Sequence, residues 1–494
     1  MHSSMTVARR ALPIAEFLPA AARAVVDAHR SAVPDLTRLT VLVPSLHAAG
    51  PMARELARAS GAAALLLPRL GTLPDWAADV PVDAACIPDS RREAQLYEAL
   101  SGHRWFPDAD LWHVSAELAA LCAELTEQRI ALPATPDELV SQLEAAYQAK
   151  AGESMQFEAR LVHEAWRALS AGDGEVDRIG RYHLQLARLA AAPPGPLVLV
   201  GIETLTPAEQ AFVDAYGNHA DVLILEADAG GDPLAQLLHA AWPARDAEAE
   251  HLYTRARTFA HAHASSPLAG RLALCGAPSL ELEARAADAK IRTWLLEGRQ
   301  RIAVVAQDRL AARRLRALLE RAEVLVEDET GWTLSTVAAT TVIMRLFDCV
   351  AGDFYHQDLL DLLKSPLIFA DLPAAERKTA VFELERLTRR HSVVSGLNAF
   401  RRLAHGEAEA AAPMLERLAD AARALGGRPA PPGEWLDRLQ HAFALLGIDR
   451  GLASDVAGQQ VAEVVTRLSR ELADGGPRVA FGDFRRWLDR QLEA

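Results

Sequence analysis

Short, almost wholly apolar runs alternate with helix-forming sequence along the first half of this chain, and that alternation constrains the fold most. Leu39 to Pro44 (LTVLVP) reads as a strand and is followed by PMARELARASG, a helix ending at Gly61. Ala63 to Pro68 (AALLLP) reads as the next strand. Further on, Leu197 to Ile202 (LVLVGI) and Val222 to Glu226 (VLILE) flank the helix signal Thr206-Pro207-Ala208-Glu209, a capping box with proline at the first helical position. A strand that is apolar throughout must be covered on both faces. Strands of this kind separated by helices therefore predict an α/β protein with a buried parallel sheet.

The rest of the chain reads mainly as helix. Residues 91–190 have helical patterning, with a second capping box at Thr135-Pro136-Asp137-Glu138 opening a helix through Ala149, and another helix from Met155 to Ala171 that stops in AGDG. After a linker at Ala264-Ser265-Ser266-Pro267, LALCGA, Ile302 to Ala306 (IAVVA) and VLVE read as strands around the helices Leu280 to Leu296 and Arg309 to Arg321. From Ala338 onward only helices are expected. With 494 residues, half of them apolar and only 6% aromatic, the chain can build two to four domains with cores of Leu, Val and Ala.

Charge and cysteine content narrow the function classes. A formal net charge of −14 argues against a surface coated with basic residues, though not against a local basic groove. Basic charge is nearly all arginine; the lysines are Lys150, Lys290, Lys364 and Lys378. Cys86, Cys122, Cys275 and Cys349 lie far apart with no CxxC pair. That is neither a zinc nor an iron–sulfur pattern, and it suits free thiols in a reducing, cytoplasmic setting. No apolar stretch reaches the length of a membrane span, and Glu16 interrupts the only run resembling a signal peptide.

Several catalytic motifs are missing. A P-loop needs GxxxxGK[ST] after the first strand, so that backbone N–H groups and a lysine cradle phosphate. Here that position reads Ser45-Leu46-His47-Ala48-Ala49-Gly50-Pro51-Met52, and no lysine in the chain follows a glycine. Glu203, after LVLVGI, stands where a Walker B acid would be, or simply supports the next helix. His47 is either a phosphate-loop or a packing histidine. A PD-(D/E)xK nuclease needs an acid at a strand end and an acid–lysine pair on the next strand. Pro74-Asp75 and Pro107-Asp108 are Pro-Asp pairs, but Asp288-Ala289-Lys290 and Glu376-Arg377-Lys378 both fall in helical sequence. No cofactor is expected in this chain.

What remains is a candidate nucleic-acid surface. Phe382 to His405 concentrates Arg386, Arg389, Arg390, Arg401 and Arg402, with Phe400 beside the last pair. Arginine contacts phosphate and stacks on bases, and an aromatic adds a stacking face. A second cluster is Phe484-Arg485-Arg486-Trp487 with Arg490. The competing reading is a solvated helix face whose arginines pair with acids such as Glu383 and Glu385.

The order of these segments resembles the N-terminal half of the AddB family, related to RecC and to UvrD-type helicases. LTVLVPSLHAAGPMARELAR is similar to its opening strand and helix, and LVLVGIETLTPAEQAFVDA to the end of its first RecA-like lobe. The stretch from LELEARAADAK through GWTLSTVAATTVIMRLFDCV resembles the start of its second lobe, and LLDLLKSPLI the entry to a helical insertion. The resemblance implies a degenerate RecA-like lobe over residues 1–265 with a helical insertion at 91–190. The start of a second lobe would occupy 266–337 and a helical insertion domain 338–494. The rest of the second lobe and the family's C-terminal exonuclease are not expected here. It further implies a helicase-like subunit without ATPase activity in DNA double-strand-break repair and recombination. Such a subunit binds single-stranded or forked DNA beside an AddA-type helicase–nuclease partner, with no membrane. The alternative is a protein-interaction scaffold without DNA contact.

Overall fold

The structure, a computed structural model, describes residues 7–103, 105–106, 109–170, 175–228, 232–242, 251–263, 265–266, 268–328 and 333–493. Five strands form one all-parallel sheet: β1 (Val7–Pro13), β2 (Thr40–Leu42), β3 (Arg69–Gly71), β4 (Leu197–Val200) and β5 (Val222–Asp228). Their order across the sheet is β1-β5-β4-β2-β3. The register sets Thr40 against both Arg69 and Leu197, and Leu197 against Val222. The fold class is therefore α/β.

The apolar runs account for the sheet centre: every residue of β2 and β4 is buried. Helix α1 (Phe17–Ala28) follows β1, and α2 (Leu46–Ser60) joins β2 to β3 and ends on Gly61 in the left-handed region. Helix α9 (Pro207–Gly217) joins β4 to β5. Its capping box is complete, Thr206 accepting from the Glu209 N–H and the Glu209 carboxylate from the Thr206 N–H. One layer of the core packs Leu42, Leu197 and Leu199 against Trp76, Phe212 and Tyr216, whose rings meet mostly edge to face. Gly195 permits a close approach just before β4, where a Cβ would lie 2.2 Å from the Arg38 carbonyl oxygen.

Two parts of the sheet depart from expectation. The third strand forms at Arg69–Gly71, not at 63–68: Leu66 and Leu67 face solvent, and Leu66 makes only an isolated bridge to Asp35. β1 has no apolar run to announce it. As an edge strand with one buried residue, it shows Arg9 to solvent, where it pairs with Glu226 at 2.6 Å.

Between β3 and β4 lie α3 (Leu73–Ala78), α4 (Asp89–Ser101), α5 (Leu111–Glu127), α6 (Pro136–Tyr147), α7 (Glu153–Ser170) and α8 (Arg178–Ala191). Thr135 caps α6 by accepting from the Glu138 N–H, without the reciprocal bond of the expected capping box among the described residues, and the helix stops early because Gln148 turns into the left-handed region. The AGDG stop at 171–174 and the pair Pro107-Asp108 lie outside the described residues.

The chain divides into two compact units. Unit 1 comprises residues 1–10, 18–226 and 332–494, and unit 2 comprises 11–17 and 227–331. Unit 2 carries α10 (Pro233–Ala241), α11 (Leu252–Ala262), α12 (Leu280–Leu296) and α13 (Arg309–Arg321). α12 and α13 pack through Ala284, Ile291, Leu315 and Leu319. The expected strands at 272–277, 302–306 and 324–327 are not formed. Ile302 and Val324 touch the helix pair, but Leu274, Val305 and Leu325 are 89%, 93% and 98% exposed. A strand needs at least one neighbouring strand to bond its backbone, and none is present among the described residues of this unit. Ala264 and Pro267 of the expected linker, and Gly331 and Trp332 of the GWTLS stretch, lie outside the described residues.

Unit 1 continues through α14 (Ala338–Ala351), α15 (His356–Lys364), α16 (Ala374–His391), α17 (Leu397–Glu407), α18 (Ala412–Leu425), α19 (Pro432–Leu446), α20 (Ile448–Ala453), α21 (Val456–Glu471) and α22 (Phe481–Gln491). A single hydrophobic cluster runs through these helices and takes in Ala94 and Trp112 of the earlier excursion. Polar ties cross the same boundary: the Ser90 hydroxyl donates to Glu471 at 2.6 Å, and the Gln491 amide to Glu93 at 2.9 Å.

Candidate nucleic-acid interface

The arginines singled out in the sequence sit on α16 and α17, which amphipathic packing holds in place. Val381, Leu384 and Leu387 of α16 and Phe400 and Ala404 of α17 point into the core. Phe400 is wholly buried, so the stacking role expected for it is corrected: its ring is a packing group.

The five arginines divide by partner. Arg389 pairs with Glu385, which also receives the Lys364 ammonium at 2.9 Å. Arg390 reaches Glu407 at 3.0 Å, and His391 meets the other oxygen of that carboxylate. Arg401 grips Glu416 through two nitrogens, and His405 Nε2 lies 3.1 Å from the same group. Hydrogen bonding from Lys364 holds Glu385 below the usual carboxylate range; Arg401, ahead of His405, does the same to Glu416. Arg386 and Arg402 are exposed and have no acidic partner among the described residues. The Arg389 side chain is itself 77% exposed. Ion pairs so open to water are worth little, so exchanging a carboxylate for a phosphate costs little.

Sequence reasoning missed two members of this surface. Lys378 and Phe382 are exposed on α16, two turns and one turn before Arg386 respectively. With 100° per residue, Lys378, Phe382, Arg386 and Arg389 fall within an arc of about 80° on one side of the helix. The spacing was legible in the sequence, but without a structure nothing marked that side as the outer one.

The second expected cluster is not available to a ligand in the same way. Phe484 and Trp487 are core residues. Arg485 pairs with Asp348, and Arg486 with Asp483 and Asp110. The Arg490 guanidinium nitrogens are buried, without hydrogen-bond partners among the described residues. An open cleft of about 390 Å³ borders α14 and α22, lined by Ala351, Phe481, Gly482, Arg485, Arg486 and Asp489.

The sheet has its own candidate position. After β2 the chain steps out to β3 and then crosses back to β4, so the crevice between the C-terminal ends of β2 and β4 is the topological switch point. Ser45 caps α2 there without a side-chain bond, His47 sits on the first turn, and Gly201 turns with φ 67° into exposed Glu203. Glu203 takes no part in capping α9, which Thr206 and Glu209 complete. Of the nuclease-like triplets, Asp288 pairs with Arg292 on α12. On α16, Arg377 donates to the carbonyls of Pro366, Ile368 and Phe369. Asp75 is the cap partner of Thr72 at the start of α3.

No helix among the described residues is long and apolar enough to cross a membrane. Neither a protein-family model nor a curated protein sequence matches this chain.

Proposed function

We propose that this protein is a helicase-like DNA-binding subunit of a double-strand-break repair helicase–nuclease, with a degenerate RecA-like sheet that does not turn over ATP. It would hold single-stranded or forked ends beside a catalytic AddA-type partner. The observation that carries the reading is the cationic outer face of α16 and α17, where Arg386 and Arg402 have no acidic partner among the described residues and Arg389 is paired but open to water. Support also comes from the segment order in the sequence and from Ser45-Leu46-His47 at the switch point, which supplies neither the glycines nor the lysine of a phosphate loop.

The test is fluorescence anisotropy with labelled single-stranded and forked oligonucleotides across a salt series, with and without ATP. Three to four phosphate contacts predict a log–log salt slope of roughly −2 to −3 on single strands. Binding should be indifferent to ATP, and Arg386→Glu with Arg402→Glu should weaken it at least tenfold. A second reading, a protein scaffold without DNA contact, draws on the carboxylate partners of Arg389, Arg390 and Arg401 and on the net charge of −14. Absence of binding at low salt selects it.

A further inference from the structure

Phe382 is an exposed aromatic ring in the middle of α16. Of the chain's 13 phenylalanines it alone is exposed, at 67% of its surface, in a helix whose other large apolar residues point inward. Among the described residues, no contact holds its ring to another aromatic side chain. Lys378 lies one turn before it and Arg386 one turn after, both exposed and unpaired among the described residues. Arg389 stands between them in angle, further along the helix. The acid nearest this stripe, Glu385, is already neutralised by Lys364 and Arg389. The remaining cation of this stretch of helix, Arg377, is turned away and spent on three backbone carbonyls. The stripe is thus a ring with an open face, bracketed by unpaired cations along about 12 Å of helix axis.

We propose that this face of α16 is a stacking platform for an unpaired base of a single-stranded polynucleotide, with Lys378, Arg386 and Arg389 holding the phosphates on either side of that base. The inference rests on the DNA-binding reading above and goes further, because it selects strand state. A duplex can meet the cations but cannot offer a base face to Phe382, since its bases are stacked on one another. A single strand offers both. Charge complementarity names a polyanion, and the aromatic between the charges separates a polynucleotide from an acidic peptide, which has no flat π-face to lay on the ring.

Phe382 is on the surface, so its substitution leaves the fold intact. Binding of oligo(dT) and of a blunt duplex of equal length is compared for the wild type, Phe382→Ala, Phe382→Leu and Lys378→Ala with Arg386→Ala. Both Phe382 variants should weaken oligo(dT) by about 5- to 100-fold and duplex by less than twofold. The double variant should weaken both. A 2-aminopurine placed in the strand should be quenched by the wild type and not by Phe382→Ala. If the Phe382 variants leave oligo(dT) binding unchanged, weaken both nucleic acids equally, or if Phe382→Leu binds like the wild type, the stacking platform is wrong while DNA binding stands. Competition by poly-glutamate as effective as that by oligo(dT) also overturns it. Failure of the wild type to bind any oligonucleotide at low salt overturns the DNA-binding reading itself.

Discussion

Glu93 offers a test of how unit 1 is joined. Its carboxyl is pushed up to about 7 from 4.5, chiefly by burial on α4; Arg490 opposes the rise and Asp89 adds to it. The Gln491 amide donates to it at 2.9 Å, so the residue joins α4 to α22. An acid with a raised folded value binds more protons folded than unfolded between the two values. Stability from this group is therefore present at low pH and lost as pH rises through the window from about 4.5 to about 7. At about 1.4 kcal/mol per pH unit the full rise is worth about 3 kcal/mol, and residual solvent contact brings the expected effect to roughly 1–2 kcal/mol. Glu93→Gln keeps the shape and the acceptor while removing the charge. Urea unfolding of wild type and variant, followed by tryptophan fluorescence at pH 5 and pH 8, should show near-equal stability at pH 5. At pH 8 the variant should be the more stable. A gap that does not change with pH, or a variant less stable at pH 8, refutes the account.

Two further outcomes follow from burial. Phe400→Ala should lower unfolding stability by roughly 3–5 kcal/mol through the cavity it leaves, whereas Phe382→Ala should cost under about 0.5 kcal/mol; comparable losses in thermal melts would contradict the assignment of Phe400 to the core. At pH 8 a thiol reagent should label exposed Cys275 first, while Cys122 and Cys349, pushed by burial to about 11 and about 12, stay unreactive until the protein unfolds; fast labelling of either, located by mass spectrometry, goes against the packing described.

The sequence carried the sheet centre well, because LVLV and VLIL admit no polar face and have few other places to go. It misplaced the third strand, where the run AALLLP is apolar enough but Arg69–Gly71 makes the ladder; register is set by neighbours, and composition does not show them. In unit 2 the same kind of run does not become a strand at all, since IAVVA finds no strand to pair with among the described residues. The arginine cluster was visible as composition. Its sorting was not, because Glu407 and Glu416 reach Arg390 and Arg401 only once the helices fold back on one another. Phe382 and Phe400 look alike in sequence; only the packing of α16 and α17 makes one a surface group and the other a core group.

Unit 1 is discontinuous, and this bears on the timing of its synthesis. The chain leaves it at residue 226 and re-enters at about 332, yet Ala94 and Trp112 belong to the same cluster as Val342 and Trp487. At roughly 5–20 residues per second a ribosome spends several seconds or more on the intervening segment. Throughout that interval α4 and α5 wait with their inner faces uncovered. The nascent chain thus passes through an obligatory half-built stage, and contacts bridging nearly 400 positions, such as the one between Glu93 and Gln491, close last. Chaperone dependence in the cell should track the length of that pause.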